Sequence, residues 1–163
     1  MALFETPSKS PAERVRAASG RVASAPGTWV LIGENVDHFG GVTLVGTSSL
    51  RAAAAVSPRT DGVISIAARG PLGQEFSAQL PYSDEPADGL ARRWWGLVHT
   101  LVQRQVLSRD TAGVDITVES DVPVGAGLGA LYAADAAIAL ALAGAHDDVD
   151  TAPFRARLAE ICS

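Results

Sequence analysis

This 163-residue chain has one cysteine, one methionine and one lysine, and only 6% of its residues are aromatic. With Cys162 alone, no internal disulfide framework and no Cys-based metal site can form. A single thiol in an apolar helical stretch is read as inert. The basic residues are almost all Arg, and they form no cluster. The formal net charge is −5, so nucleic acid is excluded as a partner. Long hydrophobic runs are missing too. The longest, Ala136–Ala145, is half of the roughly 20 residues that span a bilayer, and no membrane partner is expected. The start, Met1-Ala-Leu-Phe-Glu5, lacks a basic stretch followed by an apolar core. No signal peptide is therefore expected, and the expected location is cytoplasmic.

The chain does carry 47% hydrophobic and 19% charged residues, an ordinary globular balance. Its length suits one domain that buries roughly 70% of its unfolded surface. Residues 1–20 read as an N-terminal segment with a short helix, Pro11–Ala18, capped by Ser10. Residues 21–163 read as the domain proper. Strands are expected at Arg21–Ala25, Trp29–Gly33, Val42–Val45 and Leu50–Ser57. The Pro and Asp-Gly of Ser57–Gly62 suit a hairpin turn, with Val63–Arg69 as its second arm. A short strand follows near Gln74–Leu80. Leu90, Trp94, Leu97, Val98, Leu101 and Val102 recur at helical spacing. Val114–Glu119 alternates as a strand, Ala130–Ala145 is an alanine-rich helix buried nearly all round, and Pro153–Cys162 is a last helix capped by Asp150 or Thr151. Strands first, then helices mixed with strands, predict an α+β fold with a mixed sheet packed against helices.

Two stretches carry chemistry. In Ala25–Gly41 the apolar run Trp29–Ile32 reads as a buried strand. It ends in Gly33 and is followed by Glu34, Asn35 and Asp37 before Gly40-Gly41 turns the chain back. Carboxylates at a strand end suit a hydroxyl-rich small molecule, because each accepts two O–H hydrogen bonds. In the second stretch, Gly125, Gly127 and Gly129 lie between a strand and a helix, where bare backbone and a helix start can approach a phosphate. Tight strand–helix packing explains the same glycines. A dinucleotide fingerprint is a third reading, with Asp147 and Asp148 near the usual distance, but Pro123 and its neighbours separate the strand from the first Gly. No Lys follows, so the loop is no P-loop. Glu119 and Asp121 would repel phosphate and are expected to face water, and His146 reads as a solvated helix end. For Trp94 simple core packing is the plain reading.

The first stretch also resembles the galactokinase signature Gly-Arg-x-Asn-Leu-Ile-Gly-Glu-His-x-Asp-Tyr, matching at Gly27, Leu31, Ile32, Gly33, Glu34 and Asp37. Pro123-Val-Gly-Ala-Gly-Leu128 is similar to the start of the P-x-x-x-G-L-x-S-S-A motif of the GHMP kinases. Val56–Gly62 resembles the Ser-Pro-Arg-x-Asp-Gly hairpin of galactokinases, and Trp94–Gln103 their Trp-x-x-Tyr-Val helix, whose Trp lies near the adenine. The resemblance implies a GHMP-kinase N-terminal-type domain whose C-terminal lobe is absent. It implies a sugar site at Glu34, Asn35 and Asp37, and a nucleotide site at Trp94, Pro123, Gly125, Ala126, Gly127, Leu128 and Gly129.

The departures bear on activity. Thr28 stands where the family has Arg, Val30 where it has Asn, Asn35 where it has His and His38 where it has Tyr. Ala130, Leu131 and Tyr132 occupy the Ser-Ser-Ala positions, so the oxygen that would help to hold Mg²⁺ is lost. The family's Asp base would come after Ser163. The implied partners are galactose or a related sugar and ATP, with weak or no ATP binding expected and no catalytic or metal residue assigned. Three readings stay open: part of an ATP-dependent sugar kinase that is inactive alone, a non-catalytic ATP- and sugar-binding or sensing module, and a truncated remnant without ligand. An open cleft is expected to leave an apolar face on the alanine-rich and C-terminal helices, favouring self-association or a missing C-terminal half.

Overall fold

A computed structural model describes residues 9–15, 20–36 and 39–162. Strands β1 (Arg21–Ile32), β2 (Leu44–Arg59), β3 (Val63–Arg69), β4 (Glu75–Pro81) and β5 (Gly113–Ser120) form one sheet in the order β1-β2-β5-β3-β4. Helices α1 (Pro11–Val15), α2 (Gly89–Gln103), α3 (Ala130–Ala143) and α4 (Ala152–Cys162) complete the chain. The sheet is mixed: β5 runs parallel to β3, and every other neighbouring pair is antiparallel. This is the α+β architecture expected from the order of elements.

The core lies between the sheet and helices α2, α3 and α4. Ile64, Ile66, Val114, Ile116 and Val118 meet Trp94, Val98, Leu101, Ile138 and Phe154 there. Strand β2 is buried on both faces over Ala52–Val56, and its run Ala52–Ala55 shows why this part is built of alanine. Ala52 and Ala54 face the main core, while Ala53 and Ala55 meet Val15 of α1 on the opposite side. Alternate residues of a strand point to opposite faces, so a strand covered twice needs small residues at every position where helices come close.

Helix α1 opens with a capping box. The Ser10 backbone N–H donates to Glu13 Oε2 at 2.8 Å, and the Glu13 N–H donates to Ser10 Oγ at 3.4 Å. Residues 16–18 of the expected helix lie outside the described residues. Arg14 then ties α1 to the sheet, with Nε 2.9 Å from Glu119 and Nη2 2.7 Å from Asp121. Glu119 and Asp121 therefore do not simply face water as expected; they are the anchor of α1. His146 differs likewise: its ring is half-buried, with Nε2 2.7 Å from the Val106 carbonyl oxygen and the ring against Phe154.

Three further expectations change. The two pairs of short strands are two long ones, β1 and β2, joined across irregularities near Gly27 and Leu31. The hairpin between β2 and β3 does not form, although the turn does: Gly62 has φ +76° and Arg59 pairs with Asp61. Strand β5 inserts between the two arms, so that Val114 is opposite both Pro58 and Ile64. A local turn signal cannot report a strand arriving from fifty residues downstream. Finally, the alanine-rich helix is buried along most of its length, with Leu131 and Tyr132 exposed at its start. Further exposed apolar surface lies on the outer ends of β1 and β2, where Trp29–Ile32, Leu44 and Val45 were expected inside.

The alanine contact makes a prediction. Replacing Ala54 by Leu should overpack the β2–α3 contact and cost about 1–3 kcal/mol. Urea unfolding should show a lower midpoint with an unchanged slope; an unshifted midpoint would mean that α3 stands further from the sheet than this packing requires.

Candidate functional site

The two chemistry-bearing stretches meet at one point. Gly27 is buried in β1, and a Cβ there would lie 2.9 Å from the Leu128 carbonyl oxygen and 3.1 Å from Val122. The next residue, Thr28, donates its backbone N–H to that same Leu128 oxygen at 3.0 Å. Glycine at position 27 therefore permits the glycine loop to dock on the strand. The loop itself is left-handed at Gly125, Gly127 and Gly129, with φ of +81°, +70° and +61°. At Gly125 and Gly127 a Cβ would meet open space, so only backbone conformation calls for glycine there. At Gly129 a Cβ would also sit 2.8 Å from Thr28 Oγ1.

Gly129 is the N-cap of α3, and no side chain caps that helix. The N–H groups of its first turn lack intrahelical partners and carry the positive end of the helix dipole. A cavity opens on each side of this turn. One, of about 390 Å³, is lined by Phe76, Leu90, Trp94, Val122, Val124 and Leu131 among others. The second, of about 500 Å³, is lined by Ala25, Pro26, Thr28, Tyr132, Ala133, Ala136, Ala159 and Cys162. Both are mainly apolar and open to solvent, and both fall in the size range of small-molecule sites.

Trp94 contributes to the first cavity only as a wall. It is 2% exposed, and its indole Nε1–H donates to Asp135 Oδ1 at 2.9 Å. Asp135, 3% exposed, also accepts from Arg93 Nε at 2.7 Å. That bond raises the Arg93 pKa further above its ordinary value. Arg93 in turn lies over the Tyr132 ring, 5.2 Å from its centroid. Asp135 thus ties α2 to the helix that carries the loop. Composition alone offered a signal for it, since Asp135 is the one charged residue in α3.

The remaining expected residues spread out. Pro123 and Leu128 are half-buried, and Ala126 is exposed with the glycines around it. Glu34 and Asn35 are exposed in the turn after β1, and neither lines the two cavities. Asp37 and His38 lie outside the described residues. The donors do not fit Mg²⁺: Ala130 and Leu131 offer no side-chain oxygen at the start of α3. Among the described residues, no group of three His, Cys, Asp or Glu side chains is placed to hold a metal. Among the described residues, Arg69 is the one cation lining the Trp94 cavity and is paired with Glu75 at 2.8 Å, and no cation lines the other.

Two predictions follow from this geometry. Gly129→Ala should destabilise the chain more than Gly127→Ala, because both incur the roughly 1–2 kcal/mol left-handed penalty but only the first collides with Thr28. Urea melts of equal midpoint would refute the contact. Burial pushes the Cys162 thiol up to about 11. The folded state therefore holds the proton that an unfolded thiol releases near 8.5, and this contribution to stability is lost as pH rises from there toward 11. Disulfide reagents should accordingly react slowly with Cys162 at mildly alkaline pH and reach the rate of a free thiol on unfolding; a fast native reaction would show the thiol to be exposed.

Residues 12–58 match the galactokinase galactose-binding signature. The galactokinase of Chloroflexus aurantiacus is 32% identical over 121 residues, which are 72% of this chain and 30% of that enzyme. The crystal structure of Methanococcus jannaschii mevalonate kinase superposes with a TM-score of 0.66 at 16% identity, covering 89% of this chain and 46% of its own. Lactococcus lactis galactokinase, solved with galactose, gives a TM-score of 0.63 at 14% identity, covering 93% and 40%. At such identities the structures establish the fold, and the chain spans less than half the length of these relatives. With the matched signature, the shared fold and the glycine loop docked on the signature strand, the chain belongs to the galactokinases of the GHMP kinase family, as a partial member.

Proposed function

We propose that this chain is the ligand-gathering part of a galactokinase-type sugar kinase, able to hold nucleotide and sugar but not to transfer phosphoryl by itself. The observation that carries this reading is the Thr28 N–H to Leu128 carbonyl bond, which holds the signature strand against the glycine loop. In this reading the free N–H groups at the start of α3 receive the ATP phosphates. The apolar cavity beside Trp94 takes the flat base, with Val124 and Leu131 on its rim. Glu34 and Asn35, together with Asp37, accept and donate hydrogen bonds to the hydroxyls of a sugar. Galactose, the ligand of the Lactococcus relative, is the proposed sugar. The cytoplasm, where ATP is at hand, is the proposed location.

Phosphoryl transfer requires charge neutralisation and a group that orients the attacking hydroxyl. Thr28 brings a neutral hydroxyl to the position of the family Arg. Arg69 and Arg93 are already paired with Glu75 and Asp135. A missing general base typically costs on the order of a hundred- to ten-thousand-fold in rate. The full activity of the relatives belongs to proteins more than twice this length, and the present chain supplies binding groups without the catalytic set.

Isothermal titration with ATP, with and without Mg²⁺, and separately with galactose, tests this. ATP should bind with the same affinity whether or not Mg²⁺ is present, galactose should give measurable heat, and no sugar phosphate should form when both are mixed. Heat of dilution alone for both ligands would mean a remnant without ligands. Sugar phosphate formed by the chain alone would overturn the non-catalytic assignment.

A further inference from the structure

An extensive exposed apolar surface lies outside both cavities. Strands β1 and β2 run on beyond the helices as a two-stranded ribbon. On it Leu31 is 60% and Ile32 66% exposed, with Trp29, Val30, Leu44 and Val45 between 39% and 54%, and in the loop that joins the strands Phe39 is 87% and Val42 90% exposed. Successive strand residues point to opposite faces, so exposure of Trp29, Val30, Leu31 and Ile32 alike means that both faces are bare. The outer edge of β1 is covered at Thr28 by the Leu128 carbonyl. Beyond it, among the described residues, the backbone of Trp29–Ile32 pairs only with β2.

Natural edge strands are ordinarily protected by charges, by proline or by a covering element. Here Val22–Gly33 and Phe39–Leu50 contain no charged residue, although the chain as a whole carries a net charge of −5. Exposed apolar patches on monomers are typically about 300–600 Å². The eight side chains named above leave on the order of 800 Å² open, close to what one partner contributes to a standard interface.

We propose that this ribbon is the contact through which two copies of the chain associate, with β1 of each facing β1 of the other across a twofold axis. The uncharged edge Trp29–Ile32 and the area it leaves open favour this occupant. A twofold places a segment against itself, which is free of like-charge repulsion only where the segment is uncharged. The acids between the two strands in sequence, Glu34 and Asp37, fall outside Trp29–Ile32, so an anionic membrane or nucleic acid gains no attraction there. Edge pairing satisfies the open N–H and C=O groups of Trp29–Ile32 while the side chains of both faces are covered. The inference is independent of ligand binding at the glycine loop.

Sedimentation equilibrium across a dilution series tests it. The native chain should titrate between monomer and dimer. The double variant L31K/I32K should raise the dissociation constant about thirty-fold or more, the loss expected at an interface anchor. Leu72→Lys, at another exposed apolar position in the β3–β4 turn, should leave it unchanged. Should the double variant not fold, hydrogen exchange of the native chain gives the same answer, since the Trp29–Ile32 amides should be protected only at concentrations where the dimer forms. A chain that stays monomeric throughout, or a dimer indifferent to L31K/I32K, would overturn the proposal and leave the ribbon to a different polypeptide.

Discussion

Helix α3 lies on β1 and β2 so closely that only small residues fit between them, and the site follows from that approach. Ala52 and Ala54 meet the alanines of α3 in the core, and Gly27 admits the Leu128 carbonyl where any Cβ would collide. The helix start is thereby held beside Thr28, with a cavity on either side. Because α3 is almost without polar side chains, its position is set by packing, and the one exception, Asp135, locks it to α2 through Trp94 and Arg93. Asp135 is buried while Arg93 is partly exposed, so the cost of removing the carboxylate falls chiefly on the Trp94 N–H left unpaired in the core.

Strand β2 needs alanine for a second reason, which is α1 on its other face. A helix of five residues buries little by itself. Its hold on the sheet comes from Val15 among Ala53 and Ala55 and from Arg14 bridging Glu119 and Asp121. These carboxylates precede the glycine loop in sequence yet are spent on the far side of the sheet. Among the described residues, the loop consequently has neither an acid beside it to repel a phosphate nor a free cation to attract one, and backbone N–H groups are what it can offer.

The family match and the chemistry of individual positions bear on different questions. Fold, signature and loop shape place the chain among galactokinases. Position by position, Thr28, Ala130 and Leu131 stand where the resemblance implies the charge and the metal-binding oxygens that phosphoryl transfer draws upon. A fold survives such replacements because none of them carries the core, whereas catalysis depends on a few polar atoms in register.

Much was legible from local chemistry. Periodicity marked α2, α3 and β5, capping residues marked the starts of α1 and α4, and the glycines marked the loop, because each of these depends on residues near in sequence. The sequence by itself determined the elements, the glycine positions with their left-handed backbone, and the resemblance carried by Gly27–Glu34 and Pro123–Leu128. Only the tertiary structure decided which strands are neighbours, since β5 separates β2 from β3 by contacts some fifty residues apart. It alone decided that Trp29–Ile32 is outside, because an apolar run is buried only where another element reaches it. It also decided that Trp94 serves Asp135 and that Thr28 touches Gly129, distances that no spacing along the chain encodes.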